Sequence, residues 1–124
     1  MRYLNEDELR LASRFLFLSM AITVIKQDLE LIEQEKIFKI KEPYLRLLQK
    51  MQHVATIERR HLRKQMTDQH LQVITYEKTD SFTSFLFICK GKEEKRNYFN
   101  PAIRKKVEII IHELMQTVAA PSRV

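Results

Sequence analysis

A seam of apolar residues at helical spacing is the strongest constraint that the sequence places on its fold. Asn5 and Glu8 form a capping-box pattern that starts a helix, and no glycine or proline follows before Lys36. The seam residues recur at alternating spacings of four and three: Leu11, Phe15, Leu18, Ile22, Ile25, Leu29 and Ile32. This pattern is a heptad repeat. It predicts one long helix over residues 6–35.

The predicted helix is longer than the domain that a chain of this size forms. At 1.5 Å per residue it measures about 45 Å, whereas a compact chain of 124 residues is roughly 35 Å across. Between Phe15 and Ile25 the other faces of the helix are apolar as well, and a helix that is apolar all round is buried all round. A second copy of the chain would supply the missing cover. We therefore expect a homodimer whose interface is formed by the seven seam residues.

A second helix and a β-hairpin are predicted to follow. Pro43 stands where a first-turn proline belongs, and apolar residues at helical spacing continue the second helix over residues 43–66. The period then shortens to that of strands, with turn-forming residues around Asp80, so residues 70–90 are predicted to form a β-hairpin. Six of the eleven aromatic residues lie within residues 76–99: Tyr76, Phe82, Phe85, Phe87, Tyr98 and Phe99. They could form a stacking platform on a sheet, but we expect them to pack on the helices.

The last predicted element is a C-terminal helix. Gly91 is expected to end the hairpin, and the charged segment KEEKRNYF after it is expected to be a loop or a short third strand. Asn100 and Pro101 mark a helix start, which predicts a helix over residues 101–119. The expected fold class is α+β and mostly helical, with two long N-terminal helices, a β-hairpin and a C-terminal helix. We expect residues 1–124 to form a single domain.

Composition places the chain among globular proteins and excludes several other classes. Hydrophobic residues make up 44% and charged residues 31%, which is too apolar for a disordered chain and too charged for a membrane protein. The single cysteine, Cys89, excludes a disulfide scaffold. The acidic N-terminus does not resemble a signal peptide, and the apolar stretch over residues 15–25 is shorter than the about 20 residues of a membrane span. We therefore expect a cytoplasmic protein with no membrane partner.

The segment SFTSFLFICKGKEEKRNYFNPAIRKKVEIII, residues 81–111, resembles short proteins of spore-forming Gram-positive bacteria. It covers about a quarter of the chain. The resemblance implies a bacterial, cytoplasmic protein. It implies no activity, because no function can be carried over from those proteins.

Few residues have the spacing that catalysis or metal binding requires. Glu58 and His61 have the spacing of the ligand pairs in di-iron helical bundles, but such a site needs two pairs and two further carboxylates. Glu108 and His112 lie four residues apart, with no third ligand suggested. A local contact on a solvated helix is the simpler interpretation of both pairs. Cys89 lies within an apolar strand, where a thiol is inert. We therefore expect no catalytic site, no metal and no cofactor.

Clusters of cations are the only functional signal of any size in the sequence. The net charge is +6, and three clusters carry much of the positive charge. They are Arg59, Arg60, Arg63 and Lys64; Lys90, Lys92, Lys95 and Arg96; and Arg104, Lys105 and Lys106. If the first and the third cluster share one surface, nucleic acid could bind there, because affinity for phosphates comes from released counterions. The alternative is ordinary solubilising charge.

Two functional hypotheses follow from these patterns. The first is a small homodimeric interaction or structural protein without a catalytic site, whose partner is itself or another protein. The second is a nucleic-acid-binding dimer that uses the first and the third cationic cluster. We favour the first, because 16 acidic residues are spread through the same chain and leave the net charge moderate.

Overall fold

The computed structural model describes residues 3–119 and confirms the expected fold class. Three helices pack together with one antiparallel sheet. The elements are α1 (Glu6–Gln34), α2 (Glu42–Asp68), β1 (Leu71–Lys78), β2 (Phe82–Cys89), β3 (Lys92–Phe99) and α3 (Asn100–Ala119). Each helix begins and ends within two residues of the position that the sequence predicts.

A capping box fixes the start of α1. The Asn5 side chain accepts a hydrogen bond from the Glu8 backbone N–H at 2.8 Å, and the Glu8 carboxylate accepts one from the Asn5 N–H at 2.9 Å. These bonds satisfy two of the backbone donors that a helix start leaves without partners. The helix then runs unbroken for 29 residues. Within residues 3–119, no helix is long and apolar enough to cross a membrane.

The second helix lies against the seam of α1. Leu18, Ile25 and Leu29 from the seam are buried in one core cluster with Met51 and Ala55 of α2. The two helices thus form an α-helical hairpin, in which α2 packs against these three seam residues of α1. The length of α1 is compatible with one small domain, because α2 is nearly as long and packs along it.

The sheet has three strands instead of the two of a hairpin. Its order is β1-β2-β3 and both pairings are antiparallel. Gly91 does not end the sheet but forms a two-residue turn with Lys90, and both residues have positive φ angles, 79° and 49°. Such turns match the twist of paired strands. The charged segment after the turn is β3, an edge strand, and charged side chains are typical of sheet edges.

One face of the sheet packs on the helices. Phe85, Phe87 and Cys89 alternate along β2 and are almost fully buried, in a second core cluster that includes Ala12 of α1 and Met66 of α2. The third helix packs on the first core cluster through three buried residues: Val107, Ile110 and Leu114. The sheet is therefore covered on one side only, by the helices of its own chain.

Candidate interaction surface

The seam residues divide into a buried and a partly exposed group. Three of them are covered by their own chain, with exposed fractions of 8% or less: Leu18, Ile25 and Leu29. The other four are partly buried: Leu11, Phe15, Ile22 and Ile32. The Phe15 ring lies under the Arg59 guanidinium of α2, 4.7 Å from the ring centroid. Leu18, Ile25 and Leu29 are thus covered within the chain, whereas the other four seam residues keep exposed area, and the seam interface stays a prediction. A heptad repeat indicates a helical partner but not which helix provides it.

A row of apolar side chains lies on the uncovered side of the sheet. We call it the outer face, and it comprises Ile74, Tyr76, Phe82, Leu86, Ile88 and Phe99. Register places Ile74 beside Leu86, and Phe82 beside Phe99. The exposed fractions are 48% for Ile74, 59% for Tyr76, 49% for Phe82 and 51% for Phe99. No described element of the chain covers this face.

Local contacts hold the outer face in a fixed arrangement. The rings of Phe82 and Phe99 lie 5.4 Å apart between centroids, a distance typical of attractive aromatic pairs. The ammonium group of Lys95 lies 4.7 Å from the centroid of the Tyr76 ring, which is a cation–π geometry. Glu93, also on β3, adds the opposite charge to the same side of the sheet. The outer face thus combines an apolar centre with charges of both signs.

The expectation that all six aromatic residues of this region pack on the helices is only half correct. Phe85, Phe87 and Tyr98 point to the helices, as their burial and contacts indicate. The other three aromatics of that set belong to the outer face. The signal was present in the sequence, because side chains alternate between the two faces of a strand. In β2, both the even-numbered and the odd-numbered positions carry apolar residues, and this pattern predicts an apolar surface on both sides of the sheet.

The cationic clusters do not form one group around α1. Arg59 binds the flank of α1 that carries Phe15, and its Nε donates to the Ser19 hydroxyl at 2.8 Å. Lys106 of the third cluster lies 5.6 Å from the Phe17 ring centroid. Phe15 and Phe17 are two residues apart, so their side chains point about 200° apart around the helix. These two cations therefore lie on opposite flanks of α1.

The remaining cations of the first and the third cluster are exposed. Arg60, Arg63 and Lys64 lie on the solvent side of α2, and Lys105 lies on that of α3. Arg104 is paired with Glu108 one turn later in α3, at 3.5 Å. Exposed pairs of this kind contribute little to stability. The arrangement is that of solvated helix surfaces, with one cluster on each of two helices.

Glu58 forms an ion pair with an arginine and not a shared site with His61. Arg14 of α1 donates two hydrogen bonds to the Glu58 carboxylate, at 2.7 and 3.0 Å, and a third to Glu113 of α3 at 3.0 Å. These bonds raise the pKa of Arg14 above its ordinary value, and the contact with Glu58 contributes most. The side chain thus joins all three helices. Because Glu58 is engaged in this ion pair and His61 is exposed, they do not converge on a shared site.

No group of three potential metal ligands comes together anywhere in residues 3–119. Glu108, the first member of the second predicted pair, is paired with Arg104. His112, the second member, lies 3.3 Å from the amide nitrogen of Gln116. Both contacts are local contacts along α3.

Cys89 belongs to a small polar cluster inside the sheet. Two acceptors lie within reach of its single S–H, the Glu8 carboxylate at 3.2 Å and the Gln69 carbonyl at 3.4 Å. Burial, and then the neighbouring Glu8 carboxylate, raise the pKa of this thiol. A raised pKa disfavours the thiolate, which is the nucleophilic form of cysteine. The cluster is therefore structural in character.

Comparison with known proteins gives two matches and one negative result. A family model described as YhjD protein matches residues 3–119. A protein of Bacillus subtilis strain 168, named uncharacterized protein YhjD, is 35% identical over 108 residues, which cover 87% of this chain and 89% of that protein. No solved structure matches the chain. The expected resemblance to short proteins of spore-forming Gram-positive bacteria is confirmed by these matches.

Proposed function

The chain belongs to the YhjD protein family, and on that premise we propose that it is a small non-catalytic interaction protein that functions as a homodimer. The observation that supports this proposal best is the outer face of the sheet. Exposed apolar residues are ordinary when they are scattered, whereas a contiguous patch of several hundred Å² usually marks an interaction site. The exposed halves of Tyr76, Phe82 and Phe99 amount to roughly 300 Å². A polar row of Glu77, Ser84 and Asn97 lies between the Phe82–Phe99 pair and the Ile74–Leu86 pair.

A second copy of the chain is the occupant that suits this face. Two identical sheets can pack face to face about a twofold axis, which is the commonest symmetry of soluble oligomers. Such an interface must be complementary to itself. The outer face meets this requirement, because its centre is apolar and β3 supplies both Glu93 and Lys95 at its margin. A stable dimer buries about 800 Å² per partner, so the apolar centre and the polar margin would both take part.

The test is the oligomeric state of a variant with a charge on the outer face. Tyr76→Lys places a cation beside Lys95 in the proposed interface, at a position where 59% of the side chain is exposed. The isolated chain should therefore still fold. We expect the wild type to sediment as a dimer in analytical ultracentrifugation and the dissociation constant of Tyr76→Lys to be at least about tenfold higher, a loss of about 1.4 kcal/mol or more.

Two matched variants separate this surface from others. Ile109→Lys places the same charge at a half-exposed apolar position of α3, and we expect its dimer to be as stable as that of the wild type. Ile32→Lys does the same on the α1 seam. If Ile32→Lys dissociates the dimer and Tyr76→Lys does not, the interface lies on the α1 seam and not on the outer face. A wild type that is monomeric at about 100 µM would contradict the homodimer itself.

A further inference from the structure

A cleft of about 500 Å³ lies between the sheet and the first turn of α3. Its apolar part is formed by Met20, Phe85 and Ile103, and Thr75 and Thr83 add hydroxyl groups. These β-strand residues alternate with those of the outer face, so the cleft opens on the other side of the sheet. Its volume is within the range of sites that bind small molecules, and so is its mixture of apolar walls and a few polar groups.

The side chain of Asn100 fixes one wall of the cleft. Its oxygen accepts a hydrogen bond from the Thr83 hydroxyl at 2.7 Å, and its amide nitrogen donates to the carbonyls of Thr79 and Asp80, each at 3.1 Å. Its backbone N–H donates to the Ser81 carbonyl at 2.8 Å. These four bonds tie the start of α3 to the turn between β1 and β2. A ligand would therefore meet a wall that is already ordered, which lowers the entropic cost of binding.

Two cations line this cleft, and the one carboxylate that pairs with either of them lies outside its lining. Lys78 at the end of β1 and Arg104 in the first turn of α3 both line it, and no acidic residue does so within residues 3–119. Glu108 pairs with Arg104 along the helix surface, at 3.5 Å and with more than half of its side chain exposed. Lys78 has no ion-pair partner among the described residues. The cleft is thus positively charged at its rim and apolar at its base.

We propose that this cleft binds a small amphipathic organic anion. Lys78 and Arg104 would contact its carboxylate, sulfonate or phosphate group, since charge-assisted hydrogen bonds to such oxygens are the strong ones. Met20, Phe85 and Ile103 would contact its apolar body. The proposal does not rest on the homodimer, because the outer face and the cleft lie on opposite sides of the sheet.

The test compares two fluorescent probes of nearly the same shape and different charge. 8-Anilinonaphthalene-1-sulfonate carries a negatively charged sulfonate group, and N-phenyl-1-naphthylamine is the same molecule without that group. For the wild type we expect one saturable site for the sulfonate probe, with shifts of the Thr75, Thr83 and Ile103 amide signals in NMR spectra. For Lys78→Gln/Arg104→Gln we expect about tenfold weaker binding of the sulfonate probe and unchanged binding of the neutral one. Competition by benzoate and by phenyl phosphate then distinguishes a carboxylate from a phosphate ligand.

A second double variant, Arg60→Gln/Arg63→Gln, removes the same net charge from the solvent side of α2. It should bind the sulfonate probe as the wild type does. The proposal is overturned if this control weakens binding as much as the cleft variant, since the probe would then sit elsewhere. It is equally overturned if the neutral probe binds the wild type as tightly as the charged one, or if inorganic phosphate displaces the probe as effectively as phenyl phosphate.

Discussion

At the scale of single residues, Glu8 connects three parts of the molecule through one carboxylate. It caps α1, accepts a hydrogen bond from the Cys89 thiol, and pairs with Lys92 of β3 at 2.5 Å, with only 12% of its side chain exposed. The hydrogen bond from Lys92, and then that from the Asn5 backbone, lower its pKa from 4.5 to about 2. The folded state therefore favours the ionised form much more than the unfolded state does.

This pKa shift predicts a loss of stability in acid. A carboxyl with a lowered pKa contributes its full stabilisation above the unfolded value of 4.5, and loses it as the pH falls towards 2. We expect Glu8→Gln to reduce the free energy of unfolding by about 2 kcal/mol at pH 7, and much less at pH 2.5. Urea denaturation over this pH range measures both effects.

Glu6→Gln is the matched control for this prediction. Glu6 lies in the same helical turn but is almost fully exposed, and its ion-pair partner among residues 3–119 is Arg10. Its substitution should change the stability at pH 7 by less than about 0.5 kcal/mol. Glutamine at position 8 can still complete the capping box, so the variant isolates the charge. A Glu8→Gln protein whose stability follows the same pH profile as the wild type would refute the role assigned to the ion pair.

At the scale of elements, the turn between β2 and β3 determines whether β3 forms. Lys90 and Gly91 both have positive φ, a conformation that costs most residues roughly 1–2 kcal/mol. A Cβ atom at position 91 would meet nothing within 4 Å, so any penalty there comes from the backbone alone. We expect Gly91→Ala to lower the melting temperature by about 5 °C. Gly91→Asn should lower it much less, because asparagine tolerates this conformation.

Calorimetry of the two variants distinguishes a backbone effect from a side-chain effect. If alanine and asparagine lower the melting temperature equally, the loss is a property of any side chain at this position, and the argument from φ fails. If neither lowers it, the turn does not limit the stability of β3.

The elements themselves were largely predictable, but their partners were not. The capping box and the heptad repeat give α1 within one residue at its C-terminal end, because both are local signals. That the seam packs on α2 depends on which helix lies beside it, which a repeat does not encode. The third strand was missed as a definite element, because alternating charges of an exposed edge strand lack the apolar period that identifies buried strands.

The candidate sites show the same division between local and assembled features. The outer face could have been inferred from β2, in which even- and odd-numbered positions are both apolar. The cleft could not, because Lys78 and Arg104 are 26 residues apart in sequence, and only the packing of α3 against the sheet brings them to one cavity. The hydrogen bonds of Asn100 that create this packing join three segments of the chain.

At the scale of the whole molecule, the distribution of charge bears on nucleic-acid binding. The nucleic-acid hypothesis requires seven cations to share one surface: Arg59, Arg60, Arg63, Lys64, Arg104, Lys105 and Lys106. If all seven met phosphates of one duplex, the logarithm of affinity would fall against the logarithm of salt concentration with a slope of about −6 per chain. The placement of Arg59 and Lys106 on opposite flanks of α1 favours contact by one cluster at a time.

We therefore expect weak duplex binding with a slope no steeper than about −4 per chain, which corresponds to the four cations of the first cluster. The measurement is fluorescence anisotropy of a labelled duplex over a series of salt concentrations. Arg60→Gln/Arg63→Gln should reduce the slope by about 2, because each lost phosphate contact removes about 0.9, whereas Lys105→Gln should leave it unchanged. A wild-type slope near −6 that falls in both variants would place the two clusters on one duplex, and nucleic-acid binding would then displace the interaction-protein proposal.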